Sequence, residues 1–271
     1  MLEPLKIDRL KKIFNRFGAN LLDAVFPVEC FGCGREGEWV CPDCFKDLAY
    51  KEKQYCLGCK KENRFGEFCP GCAGDYFLEG VLIAGDYDNE LLSRTIKNVK
   101  YHLVKDATGY LGNYLAAFLI NEINKAKVAA INLKEGRIWE KLSGASAAPG
   151  FFFNPDEAMI IPVPLSKKRA RTRGFNQAEL MAGALTKRLS FSVESGFLNR
   201  VIHKIPQAKL GEEKRKKNVS GCYAWVGRNL DGRGVVLIDD VATTGATLNE
   251  CARILKENGA GEVWGLVVAK G

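Results

Sequence analysis

The run VVLIDDVATTGATL, Val235 to Leu248, sets the reading of the whole chain. Four aliphatic residues, Val235 to Ile238, read as a buried strand, and two acids, Asp239 and Asp240, stand at its carboxyl end. The sequence then turns helical in ATLNECARILKENGA, with Gly259 as the stop. Thr243, Thr244, Gly245 and Thr247 therefore approach a helix N-terminus, where backbone N–H groups lack intrahelical partners. A phosphate in that turn would accept hydrogen bonds from those amides and from the threonine hydroxyls, and the helix dipole would favour it. Gly245 removes the side chain that would block close approach. Ionised aspartate only accepts hydrogen bonds, so an acidic pair beside a phosphate suits the two hydroxyls of a vicinal diol. Phosphate plus diol is a ribose 5-phosphate. An ordinary strand end with one capping threonine and solvated acids explains one Asp and one Thr, but not the whole run.

The flanking sequence alternates in the same way. FLEGVLIAGDY (Phe77 to Tyr87), AMIIPVP (Ala158 to Pro164) and EVWGLVVAK (Glu262 to Lys270) read as strands. ELLSRTIKNVKYH, GYLGNYLAAFLINEINKA and NQAELMAGALTKRL read as helices. Strands separated by helices imply an α/β fold, a parallel sheet with helices on both faces, whose ligands bind at the carboxyl ends of the strands. Val128 to Pro155 fits neither pattern, and its SGASAAPG reads as a linker or loop.

Eight of the 10 cysteines form four C-x-x-C pairs: Cys30 and Cys33, Cys41 and Cys44, Cys56 and Cys59, Cys69 and Cys72. Each C-x-x-C turn brings two thiolates toward one tetrahedral ion, and two such turns close a four-cysteine zinc site. Short spacers inside each half suggest that the first four residues share one zinc and the last four a second, with an interleaved cross-brace as the alternative. A disulfide knot does not suit a reducing compartment, and a redox C-x-x-C has no need of four copies. Four thiolates leave no open coordination position, so both ions are expected to be structural. Cys222 and Cys251 stand alone and read as buried small residues.

Among the 271 residues, 40 Lys and Arg against 32 Asp and Glu give a net charge of +8, a surface that suits anions such as phosphates or nucleic acid. No apolar run approaches the roughly 18 residues of a membrane span, and LAAFLI at Leu115 to Ile120 is short. The start of the chain lacks a secretory signal's apolar core, so a cytoplasmic protein is expected. Leu10, Ile13, Phe14, Phe17 and Leu21 recur at helical spacing, with Lys11, Lys12 and Arg16 on other faces. This helix either docks on the domain or meets a membrane surface or a partner. The organisation expected is therefore an amphipathic helix at 1–28, a double zinc ribbon at 29–75 and the α/β domain at 76–271, with 128–155 an insertion.

VVLIDDVATTGAT resembles the ribose-phosphate signature of type I phosphoribosyltransferases. LLDAVFPVECFGC, the four cysteine pairs, IPVPLSKKRARTRGFNQAEL and LNRVIHKIPQAKLGEEKRKKNVSGCY narrow the resemblance to the ComF family, also called ComFC or GntX-like and linked to competence and DNA uptake. It covers nearly the full length in motif order. The resemblance implies that Asp239 and Asp240 hold the ribose hydroxyls of phosphoribosyl pyrophosphate, and that Val241, Ala242, Thr243, Thr244, Gly245, Ala246 and Thr247 form the turn around its 5′-phosphate. It places Lys167, Lys168, Arg169, Arg171 and Arg173 in the loop that approaches the pyrophosphate, and a basic residue at Lys100. Gln207, Arg215 and Asn218 fall in the mobile loop that covers the ligand, and Lys204 stands where the family usually has Thr.

Two functions follow from the resemblance. One is a protein that binds phosphoribosyl pyrophosphate and single-stranded DNA, works with DNA-uptake proteins, and uses its basic surface with Phe65, Phe68, Tyr101 and Phe175. The other is an active transferase of nucleotide or cofactor metabolism, in which Mg²⁺ bridges the pyrophosphate, and Asp239, Asp240 and the cations stabilise charge while an amine or base attacks. The chain ends at Gly271 immediately after its last strand, so the base-selecting hood is expected either from the zinc module or not at all.

Overall fold

The computed structural model describes residues 27–134, 158–201 and 221–271, with the backbone alone for 126–134. The expected N-terminal helix, the SGASAAPG segment and the loop carrying Lys204, Gln207, Arg215 and Asn218 lie outside the described residues. The chain divides into two compact units, Met1–Leu48 and Ala49–Gly271. This boundary runs inside the expected 29–75 ribbon, so the second ribbon half belongs with the sheet.

In the smaller unit, Phe31 packs on Trp39 with ring centroids 5.2 Å apart, and helix α1 (Pro42–Lys46) starts directly after Cys41 with proline in its first turn. The larger unit opens with the two-residue strands β1 (Gln54–Tyr55) and β2 (Glu62–Asn63), paired antiparallel, and the short helix α2 (Pro70–Ala73).

The α/β portion follows as β3 (Gly80–Asp86), α3 (Glu90–Tyr101), α4 (Ala107–Lys134), β4 (Ala158–Pro162), α5 (Lys167–Arg173), α6 (Gln177–Thr186), β5 (Ser192–Val193), β6 (Leu198–Arg200), β7 (Tyr223–Trp225), β8 (Gly234–Ala242), α7 (Ala246–Glu257) and β9 (Val263–Lys270). Strands β3, β9, β8, β4 and β5 form, in that order, a five-stranded sheet in which every pair is parallel. β6 and β7 make a separate antiparallel pair. The run read first thus occupies β8, at the centre of the sheet and next to the order reversal, where a crevice opens at the strand ends.

Side chains alternate across a strand, and β8 shows what that does. Val235 and Leu237 face α7, where Leu248, Cys251, Ala252 and Leu255 are buried, together with Cys56, Leu57 and Phe68 of the second ribbon. α4 and α6 pack together against the sheet and bury Tyr114, Phe118, Met181 and Leu185. A buried Leu, Met or Phe side chain of this kind contributes about 1.5–3 kcal/mol relative to exposure.

Local signals fix the helix ends. Asn89, Ser166 and Asn176 cap α3, α5 and α6, accepting hydrogen bonds from the amides of Leu92, Arg169 and Ala178. α3 then buries Leu92, Ile96 and Val99 at helical spacing. Two expectations need correction. SKKRARTRG is a helix rather than a loop, because Ser166 caps it and Gly174, left-handed at φ 74°, stops it. α4 continues to Lys134 and absorbs the start of the expected 128–155 insertion, whose KVAAINLK contains no helix breaker.

β3 is an edge strand, and the second ribbon covers it. Gln54, 1% exposed, acts as a side-chain stand-in for a neighbouring strand: its Oε1 accepts from Ile83 N–H at 2.9 Å and its Nε2 donates to Ile83 C=O at 3.0 Å. The amide of Lys51 donates to Ala84 C=O, and that of Val81 to Gly66 C=O.

Candidate functional site

β8 carries Asp239 and Asp240 to the carboxyl edge of the sheet, and alternation sends the two carboxylates to different faces. Asp240, 3% exposed, forms an ion pair with Lys100 Nζ of α3 at 2.9 Å and accepts from Gln177 Nε2 of α6 at 3.2 Å. Gln177 in turn accepts from Arg173 Nη1 at 2.9 Å. Lys100, Asp240, Gln177 and Arg173 therefore form one connected chain across three elements and the strand. The sequence reading had both acids facing a diol. The structure gives Asp240 two protein partners and leaves Asp239 half-buried at the opening.

Asp239 accepts from the backbone N–H of Asp240 at 2.8 Å. Burial raises its pKa from an ordinary 3.8 to about 7, and the neighbouring charge of Asp240 adds to this against the opposing Asp240 amide and Lys100. Close to it lies a cluster that sequence reasoning missed. The Arg200 guanidinium sits 5.5 Å from the centroid of the Tyr223 ring, and Arg200 Nε and Tyr223 Oη are buried without a hydrogen-bond partner among the described residues. Burial, with Asp239 contributing next, pushes the Cys251 thiol well up. Cys251 and Cys222 are both fully buried.

The turn after the acids runs Val241, Ala242, Thr243, Thr244 and Gly245 into the first helical residues Ala246 and Thr247. Gly245 is buried, left-handed at φ 73°, and is the N-cap of the 12-residue α7. As an N-cap it has no side chain to occupy the helix N-terminus, so the first-turn amides face the turn. Thr243 is exposed, and Thr244 Oγ1 accepts from Ala246 N–H at 3.4 Å. Lys168 and Arg169 lie exposed on α5. Burial lowers the pKa of Arg173, against the attraction of Asp240, and it lies within electrostatic reach of Arg169, Tyr101 and Asp239. Tyr101 is 71% exposed at this rim. Phe65 and Phe68, expected to contact DNA, are instead 2% and 7% exposed. Phe68 stacks on Tyr76 at 3.8 Å, so these rings form the second ribbon's core. A cavity of about 590 Å³ bordered by Phe197, Trp225, Arg228 and Arg233 opens at the amino ends of β4 and β8, away from the acids.

The cysteines gather into two sets, Cys30, Cys33, Cys41, Cys44 and Cys56, Cys59, Cys69, Cys72, with the four sulfurs of each set within 4.8 Å of one another. The interleaved alternative does not occur. A tetrahedral ion with Zn–S bonds of about 2.3 Å needs sulfurs about 3.8 Å apart. Cys33 and Cys41 Sγ are 3.7 Å apart, and Cys59 and Cys69 Sγ 3.5 Å. Burial raises the pKa of Cys30, but the amides of Cys33, Cys41 and Gly32 outweigh it and bring the thiol to about 6. Burial likewise opposes, and the amides of Cys59, Cys69 and Gly58 outweigh it, to bring Cys56 to about 7. Cys44 and Cys72 are pushed to about 12, chiefly by hydrogen bonding to Cys41 and Cys69 respectively. Sulfurs this close ionise together only when a cation neutralises them, which is what a structural zinc does.

Residues 21–80 match the family model of the double zinc ribbon domain, and residues 172–270 that of the phosphoribosyl transferase domain. Over 249 residues, 84% of this chain and 96% of the relative, the sequence is 40% identical to competence protein F of Haemophilus influenzae. It is 36% identical over 107 residues to the DNA utilization protein YhgH of Escherichia coli K12, spanning 39% of this chain and 47% of that protein. With competence protein ComFC of Bacillus subtilis it shares 37% over 113 residues, 39% of this chain and 41% of the relative. No helix among the described residues is long and apolar enough to cross a membrane.

Proposed function

The chain belongs to the competence protein F family, and from that membership and the geometry of the turn we propose that it binds phosphoribosyl pyrophosphate, or a related ribose phosphate, and handles single-stranded DNA during its uptake or use. The observation that carries the ligand is Gly245, left-handed and buried at the start of a 12-residue helix, directly after the acid-bearing strand. Such a turn presents amides to a monophosphate, with the positive end of the dipole behind them.

In this reading Thr243, Thr244, Thr247 and the amides from Val241 through Ala246 hold the 5′-phosphate. Asp239, the half-exposed acid, accepts the ribose hydroxyls, while Asp240 locks Lys100 and Gln177 in place. Lys168, Arg169 and Arg173 meet the pyrophosphate, and Arg215 of the covering loop joins them. Magnesium bound to the pyrophosphate would supply counter-charge, and the carboxylate of Asp239 would offer it a hard oxygen donor. The names of the relatives, competence protein and DNA utilization protein, support the DNA role. So do the net charge of +8 and the exposed Tyr101 at the cationic rim. Eight zinc-binding thiolates suit a reducing compartment, hence the cytoplasm, where partners from the uptake machinery would be met.

Calorimetric titration of the zinc-loaded protein with phosphoribosyl pyrophosphate and Mg²⁺ tests the ligand: saturable binding is expected, and none refutes the reading. Titration of single-stranded DNA at two salt concentrations should show affinity falling steeply as salt rises, and salt-independent affinity would contradict phosphate-led contact. Pyrophosphate release that requires an added amine or base acceptor and disappears in Asp239→Asn would convert the assignment to a transferase.

A further inference from the structure

The second ribbon reaches the phosphate turn at two places. Leu57, between Cys56 and Cys59, is 6% exposed, and its Cδ2 lies 2.5 Å from where a Cβ on Gly245 would stand. Gly245 is thus roofed by a side chain whose own backbone is held between two zinc ligands. The other knuckle grips the same helix end. Asn249, in the first turn of α7, accepts from Phe77 N–H at 2.6 Å through Oδ1 and approaches Asp75 C=O at 3.5 Å through Nδ2, just after Cys72. The knuckles fit tightly on each other, since a Cβ on Gly58 would come within 3.0 Å of Cys72 Sγ.

We propose that the second zinc site is a clamp on the phosphate turn, with Leu57 as a positioning residue for Gly245. Zinc in Cys56, Cys59, Cys69 and Cys72 holds both knuckles, the knuckles hold the first turn of α7, and the amides of that turn hold the phosphate. Linkage then requires reciprocity: a bound ribose phosphate raises the affinity of this site for zinc by the factor by which zinc raises affinity for the ligand. The first site lies in the other compact unit and serves as the comparison. The inference rests on the ribose-phosphate reading of the turn.

Ribose 5-phosphate is the probe, and the share of zinc passed to a chromogenic chelator at equilibrium is the readout. In a Cys33→Ser chain, which disables the first site, saturating ribose 5-phosphate is expected to raise the zinc affinity of the second site about tenfold, within the usual range of coupling. A Cys59→Ser chain, left with the first site, should yield its zinc to an extent indifferent to the ligand. Leu57→Ala should retain two zinc ions but bind ribose 5-phosphate about tenfold more weakly, and Leu57→Met, which restores the volume, should recover most of the loss. Leu185→Ala, a core truncation beneath the opposite sheet face, should lower stability and leave the affinity unchanged. Binding that ignores Leu57, with zinc affinity that ignores the ligand, overturns the clamp while sparing the site. Failure of the unaltered protein to bind ribose 5-phosphate overturns both. Should Leu57→Ala not fold, the chelator competition decides.

Discussion

Replacing Asp239 by Asn separates what this carboxylate costs the fold from what it gives the site. Its pKa stands at about 7 against an ordinary 3.8, so between those values the folded chain keeps a proton that the unfolded chain has released. The group's contribution to stability therefore falls as pH rises from about 4 through about 7, and the whole penalty is present above that. About three units at 1.36 kcal/mol each set an upper bound of about 4 kcal/mol. The residue is only partly buried, and solvent screens its charge, so about 1–2 kcal/mol is expected. Asparagine keeps an Oδ1 to accept the Asp240 N–H, so the local hydrogen bond survives. Urea denaturation of zinc-loaded protein, followed by circular dichroism, should show Asp239→Asn more stable than the unaltered chain by that amount at pH 8. The gain should shrink as pH falls and be nearly gone below about pH 4. In the same variant ribose 5-phosphate binding should weaken at least tenfold. A gain that grows as pH falls, or a loss at pH 8, would refute the electrostatic account of the pair.

Lys100→Met leaves the buried Asp240 carboxylate with Gln177 alone and should cost about 3–5 kcal/mol in urea denaturation. Breaking the exposed Lys53–Glu62 pair with Lys53→Met should cost under about 1 kcal/mol in the same assay. Gly245→Ala forces alanine to φ 73° and pushes into Leu57, a loss of roughly 2 kcal/mol measured by thermal melting, together with loss of ribose 5-phosphate binding by calorimetry. Cys72→Ser should release one equivalent of zinc, counted by atomic emission, and lower the melting temperature of the larger unit, because Cys56, Leu57 and Phe68 are continuous with the core of the sheet.

How much the sequence revealed follows the range of each interaction. The cysteine spacings are local constraints, and the grouping they suggest is the one the sulfurs adopt. The strands announced themselves through aliphatic runs, and the parallel sheet followed from their alternation with helices. Helix α5 was also legible, since Ser166 and Gly174 bracket it, but the loop seen in the resemblance displaced the local signals. The period of two in β8 already implied that adjacent acids face different ways. Which face met Lys100 depended on a pairing 140 residues away in sequence, beyond any local pattern. Gln177 sat inside a quoted motif without a role, and Leu57 gave one faint sign, an apolar residue at the tip of a metal knuckle where polar residues are ordinary. Phe65 and Phe68 misled because an aromatic near basic residues looks alike whether it stacks on a base or fills a small core.

Gln54 is expected to tie metal supply to solubility. It and its neighbours occupy the hydrogen-bonding rim of β3, and their placement depends on a knuckle that thiolates alone cannot hold together. A chain starved of zinc would bare that rim, a ready template for pairing with another copy. Chelator treatment should then raise light scattering before secondary structure is lost, sooner in Gln54→Ala than in the unaltered protein, and clear solutions after full metal removal would disprove it. Loss of zinc is thus expected to appear first as precipitation.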